Sequence, residues 1–223
     1  MNQEQALSLL KETKLVAILR GIPVKQATDI ATALYDGGVR VLEFTFDHDD
    51  PDCVAHNCQR IRAVKKIFGD EMVVGCGTAL TVQEVEASVE AGGQIVISPN
   101  VDVSVIAKTK ALGAISMPGA LTPTEIVMAY NAGADIVKLF PAGTLGVPYI
   151  KAVRGPLGYI PMSAVGGVRP ETIADCLNVG VCGFGVGGEL VKKEFVRSGD
   201  MNALTSRARK FVHAIEQWEA NRS

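Results

Sequence analysis

Two ionisable residues stand where burying a charge is costly. Lys138 lies within Asp135-Ile136-Val137-Lys138-Leu139-Phe140-Pro141-Ala142-Gly143, an apolar run closed by a turn. Too short for a helix and followed at once by breakers, the run reads as a buried strand. Side chains alternate along a strand, so Ile136, Lys138 and Phe140 share one face and Val137 and Leu139 the other. With both faces covered, the ammonium has no easy route to water. Such an amine has a lowered pKa and is nucleophilic enough to form an imine with a carbonyl substrate. The plainer alternative is a strand-end lysine that reaches solvent or pairs with an acid. Glu43 raises the same question. Val41, Glu43 and Thr45 share one strand face, and Leu42, Phe44 and Phe46 the other. The large apolar set suits outer helices, so Glu43 should point inward. A structural ion pair would account for Glu43 with Lys138. A nucleophile with a general acid/base accounts for more, because imine chemistry needs an amine, proton transfers and a base.

The elements that must hold these two residues recur along the chain. A short leading helix (2–13) carries Leu7, Leu9 and Leu10. Strands are predicted at 15–19, 39–46, 72–78, 94–98, 114–117, 134–139, 160–165 and 181–186. Between them, helices are expected at 24–36, from Asp50-Pro51, and at 81–91, 102–112, 122–132, 147–154 and 170–179, with a last helix over 200–218. Gly37-Gly38 and Gly92-Gly93 serve as helix stops. Strands alternating with helices imply parallel neighbours and right-handed crossovers. Eight such units match a single-domain (β/α)8 TIM barrel over residues 1–223, an α/β fold. A doubly wound open sheet is the competing architecture, but no Gly-x-Gly-x-x-Gly follows the first strand.

In such a barrel, chemistry sits where strands end. Those ends supply Arg20, Glu43, Thr45, Gly77-Thr78, Ser98-Pro99-Asn100, Pro118-Gly119 and Lys138. Strands seven and eight end in Gly166-Gly167 and Gly187-Gly188, where missing Cβ atoms let an anion approach backbone N–H groups; packing or turns alone could also explain these glycines. Arg20 could face the same anion. The loop Asp47-His48-Asp49-Asp50-Pro51-Asp52 offers oxygen and imidazole ligands, yet Asp50 reads as a helix cap and the other acids as first-turn residues, so no metal is assigned. His56 and His213 fall on predicted helices. Cys76 shares the face of Thr78 and is expected inside the barrel as a packed thiol.

Composition excludes several classes. The chain has 22 Lys+Arg against 24 Asp+Glu and no basic stripe with interleaved aromatics, which argues against nucleic acid as a partner. No apolar stretch approaches the roughly 20 residues a membrane helix needs. No signal-peptide pattern opens the sequence, so a cytoplasmic location is expected. Its five cysteines are scattered, without a Cys-x-x-Cys pair, and read as reduced thiols.

With Leu42-Glu43-Phe44-Thr45, Gly75-Cys76-Gly77-Thr78, Ile97-Ser98-Pro99, Met117-Pro118-Gly119, Thr122-Pro123-Thr124-Glu125, Val137-Lys138-Leu139-Phe140-Pro141, Gly166-Gly167 and Gly187 in this order, the chain resembles the 2-keto-3-deoxy-6-phosphogluconate / 4-hydroxy-2-oxoglutarate aldolases. The resemblance implies a class I, pyruvate-releasing lyase acting on a small keto-acid substrate. It assigns the Schiff base to Lys138 and proton transfer to Glu43. It gives Thr78 and Arg20 the substrate carboxylate, Pro99 and Phe140 the walls, and Gly166, Gly167 and Gly187 the far end of the substrate. Thr45 and Gly188 join this set as candidate substrate contacts. No cofactor is implied, and a homotrimer is expected. A phosphate-binding barrel isomerase or epimerase using Glu43 as base is the alternative. Many members have arginine two residues after the threonine of strand two, where this chain has Asp47. Either Asp47 turns outward or Arg20 binds the carboxylate alone. Gly188 stands where several members offer serine, and Asn100 where some have glycine.

Overall fold

The computed structural model describes residues 1–222. Parallel strand segments are β1 (Leu15–Leu19), β2 (Val41–Thr45), β3 (Val73–Gly77), β4 (Ile95–Ile97), β5 (Ile115–Met117), β6 (Gly119–Ala120), β7 (Val137–Leu139), β8 (Met162–Val165) and β9 (Gly183–Val186). They run in the order β5-β4-β3-β2-β1-β9-β8-β7-β6. β5 and β6 are two parts of the predicted fifth strand, separated by Pro118. A proline has no N–H to give a ladder. Its carbonyl still accepts from Lys138 N at 2.9 Å, and the Ser116 carbonyl accepts from Asp135 N at 3.0 Å. Those bonds tie the fifth strand to β7 and close the barrel, so the predicted (β/α)8 architecture holds.

The helices are α1 (Gln3–Thr13), α2 (Ala27–Asp36), α3 (Cys53–Phe68), α4 (Val82–Glu90), α5 (Val103–Ala111), α6 (Pro123–Asn131), α7 (Ala142–Leu157), α8 (Ile173–Asn178), α9 (Lys193–Ser198) and α10 (Met201–Ala220). Apolar side chains sort into two cores. Outward-facing Leu42, Phe44, Val74, Val137, Leu139 and Phe184 pack under the helices. Inside the barrel, Val16, Val41, Val73, Ile95 and Ile115 form a layer at the N-terminal ends of the strands, on which Ala6 and Leu10 of α1 are seated. The leading helix therefore plugs the bottom of the barrel, and the cavity bordered by Glu43 and Lys138 lies at the opposite end. Asn2 caps it through a reciprocal box with Gln5.

Several expectations are corrected. α3 begins at Cys53 rather than at Asp50, because the Asp50 carboxylate accepts from Asp52 N at 3.0 Å and pairs with His56 Nδ1 at 2.7 Å, holding a turn ahead of the helix. α7 is longer than 147–154 and bends at Gly146, whose φ is +73°. α9 was not anticipated. Cys76 faces the outer helices, not the interior. Strand alternation ends at Gly77, since Thr78 adopts a left-handed φ of +56°, so Cys76 and Thr78 do not share a face. Burial pushes the Cys76 thiol up to about 12, so it stays protonated. Among the described residues, no helix is long and apolar enough to cross a membrane.

Candidate active site

The strand ends open into a cavity of about 430 Å³ lined by Arg20, Glu43, Thr78, Pro99, Lys138 and Phe140 on one side. Gly166, Gly167, Gly187 and Gly188 line the other. Of the strand-end candidates, Gly77, Ser98, Asn100, Pro118 and Gly119 are absent from the wall, and so is Thr45. Thr45 is 3% exposed and donates its hydroxyl toward both Glu43 carboxylate oxygens at 3.2 Å. Thr45 touches Glu43 rather than the space where a substrate would sit.

Lys138 comes inward because Val137 and Leu139 take the helix-facing positions of β7. The residue is 7% exposed, and its Nζ lies 4.9 Å from the centroid of the Phe140 ring. Burial pushes its pKa below the usual lysine value; the nearby Glu43 opposes the shift, and Arg20 adds to it. Glu43, 2% exposed, has its pKa pushed up to about 7 by burial, against the pull of Lys138, the Thr45 hydrogen bond and Arg20. Glu43 therefore has a neutral form within reach near pH 7, and burial makes the neutral amine of Lys138 easier to reach than that of an exposed lysine. Such a pair can attack a carbonyl and move protons.

The neighbouring backbone is shaped around this pair. A Cβ on Gly77 would lie 2.0 Å from Glu43 Oε2, so the carboxylate occupies the place a side chain would take. Gly166 and Gly167 both adopt positive φ, +89° and +70°. Their turn is pressed against the start of α7, where Gly143 N donates to the Gly166 carbonyl at 2.8 Å. Around Gly188 there is open space, so packing does not demand a glycine there. Bare backbone facing a cavity suits an anionic group.

Asp47 does not line the cavity. It lines an adjoining groove with Arg20, Lys193 and Arg197, and so turns outward. Arg20 borders both spaces. The histidine near the acidic loop is also engaged, His48 Nε2 lying 2.7 Å from Glu84 Oε1. Sequence reasoning missed Ile18, Val165, Glu189 and Lys193 on the cavity wall. Ile18 could have been found, since it precedes Arg20 by two on the same strand face. Glu189 and Lys193 lie beyond the last strand, where no periodicity marks them.

A (β/α)8 barrel with a desolvated amine and carboxylate at its open end has the make-up of a lyase working at a carbonyl carbon. The chain belongs to the KDPG and KHG aldolase family, whose model matches residues 7–207. It is 37% identical to a probable 2-dehydro-3-deoxy-6-phosphogalactonate aldolase of Rhizobium meliloti (strain 1021), over 81% of this chain and 83% of that one. With the KHG/KDPG aldolase of Escherichia coli (strain K12) it shares 32% identity over 95% and 96% of the two chains. A solved structure described as native KDPGal superposes with a TM-score of 0.83 and 32% identity, over 92% of this chain and 96% of that one. The enzyme is an aldolase, and hence a lyase.

Proposed function

We propose that the protein cleaves a 2-keto-4-hydroxy acid to pyruvate and an aldehyde through a Schiff base on Lys138. The carrying observation is the shared burial of Lys138 and Glu43, whose pKa values move toward each other. The neutral Lys138 amine adds to the C2 carbonyl, and Glu43 gives the proton that lets the carbinolamine lose water. The carboxylate so formed takes the C4 hydroxyl proton. The C3–C4 bond then breaks, the aldehyde leaves, and the bonding electrons pass into the iminium to form an enamine. Glu43 returns the proton to C3, and hydrolysis frees pyruvate and the amine. The protonated imine is itself the electron sink, so no cofactor is required.

In this reading Thr78 and Arg20 hold the substrate carboxylate, Pro99 and Phe140 keep water from the imine, and Thr45 orients Glu43. Gly166, Gly167, Gly187 and Gly188 receive the far end of the substrate. Its candidates are 2-keto-3-deoxy-6-phosphogluconate, the 6-phosphogalactonate epimer and 4-hydroxy-2-oxoglutarate. The relatives of higher identity are named for the phosphogalactonate, which favours a phosphorylated substrate. The enzyme would work in the cytoplasm as a homotrimer, an association supported by exposed Met128, Tyr130 and Tyr159 beside α6, the two tyrosines packed edge to face.

Pyruvate release from the phosphorylated and unphosphorylated acids tests the proposal. It expects cleavage that is lost in Lys138→Ala, with a higher kcat/KM when the phosphate is present. Exchange of the substrate's α-protons with solvent, without carbon–carbon cleavage, would favour an isomerase or epimerase.

A further inference from the structure

Thr78 is held in a conformation that residues other than glycine seldom adopt. Its φ of +56° comes directly after β3, on the wall of the catalytic cavity. A non-glycine residue stays there only when its surroundings hold it. The turn that follows it is held by one side chain. Glu84 Oε2 accepts from Leu80 N at 2.7 Å and Thr81 N at 2.9 Å, completing a capping box at the start of α4. Ala79 N is held by the Ile97 carbonyl at 3.1 Å.

Capping alone does not account for the whole arrangement. The same fold provides a comparison in Glu125, which caps α6 in the same way by accepting from Leu121 N and Thr122 N at 2.9 and 2.7 Å. Glu125 is exposed, and among the described residues its side-chain hydrogen bonds stay within the turn that opens α6. Glu84 is 5% exposed, and its second oxygen, Oε1, reaches His48 Nε2 at 2.7 Å. His48 follows β2, the strand that carries Glu43 and Thr45, and its ring lies 6.2 Å from that of Phe46. One buried carboxylate thus joins the loop after the Glu43 strand to the turn after the Thr78 strand.

We propose that His48 and Glu84 are positioning residues that set the spacing between Thr78 and Glu43, and so tune how the 2-keto acid's carboxylate is held. The assignment rests on the proposed function in one respect, the carboxylate contact of Thr78. It gains weight in this chain because Asp47 faces the outer groove and brings no charge to the cavity. Without the imidazole, Glu84 still caps α4, but the two loops are no longer tied. The Thr78 hydroxyl then samples positions farther from the imine site.

The test uses His48→Ala and His48→Gln, with Glu125→Ala as the capping control. For His48→Ala we expect KM for the keto acid to rise about fivefold, the size of one part-exposed charged hydrogen bond, with kcat little changed. His48→Gln, which keeps an N–H donor, should recover most of that loss. Glu125→Ala should lower the melting temperature and leave KM alone. An unchanged KM in His48→Ala, with lowered melting temperature, would reduce the pair to a structural strut and overturn the proposal. Borohydride trapping of pyruvate on the wild-type enzyme separates the two ideas. Trapping on Lys138 with an unmoved KM sinks only the positioning role, whereas no trapping sinks the imine mechanism itself.

Discussion

Gly77→Ala should slow catalysis about a hundredfold while leaving the barrel folded. The added Cβ would sit 2.0 to 2.2 Å from Glu43 Oε2, Cδ and Oε1. Ordinary contact between such atoms begins near 3.5 Å, so the carboxylate must retreat by about 1.5 Å. Glu43 is the far end of a side chain and can rotate, so the cost in stability should stay within the roughly 1 to 3 kcal/mol of modest overpacking. The catalytic cost is a rate lowered about a hundredfold, since a misplacement of about 1 Å can remove roughly 2.7 kcal/mol of transition-state stabilisation. Gly75→Ala is the structural counterpart. Its Cβ would strike the backbone carbonyl of Ile95 at 1.8 Å, which cannot rotate away, so it should fail to fold or melt far below wild type. The assay is kcat for pyruvate release beside a thermal melt for each variant. Adding Glu43→Gln to Gly77→Ala should cost little more, because both act on one group. A Gly77→Ala enzyme whose kcat stays within about threefold of wild type would refute the placement of Glu43 at the reacting centre.

Three further outcomes follow from the buried pair. Glu43 has a folded-state pKa raised from 4.5 to about 7, so its contribution to stability is full below about pH 4.5 and is lost as pH rises through about 7. Glu43→Gln should therefore gain on wild type across that window, read as the difference in melting temperature from pH 4 to pH 8. Lys138 has a lowered folded-state pKa, so its contribution is present above its ordinary value and lost as pH falls through the folded one. Lys138→Met should melt above wild type at neutral pH, where the buried ammonium is removed, with the advantage fading toward alkaline pH. Thr45→Val removes the hydroxyl that favours the charged Glu43, so the limb of the pH–rate profile governed by this carboxylate should move to higher pH; an unmoved limb would show that Thr45 does not tune it.

Much of this site could be read from alternation alone. Strand periodicity placed Lys138 and Glu43 on inner faces because their neighbours, Val137, Leu139, Leu42 and Phe44, needed helices to cover them. Alternation failed where the backbone left the strand. The left-handed Thr78 ended the pattern that would have put Cys76 inside, and Pro118 split a strand that the pattern treated as whole. Thr45 was read as a substrate contact because strand-end position does not reveal which neighbour takes a hydroxyl. Its buried hydroxyl is spent on Glu43. The bond from His48 to Glu84 links residues 36 apart in sequence, and no local pattern announces such a contact.

The central claim is that Lys138 is the amine that forms the imine. Borohydride reduction in the presence of pyruvate, followed by mass spectrometry of the peptide containing Lys138, addresses it directly. A reduced pyruvyl adduct on Lys138, formed more slowly in Glu43→Gln, is the predicted result. A folded enzyme that cleaves its substrate yet carries no adduct on Lys138 would contradict it.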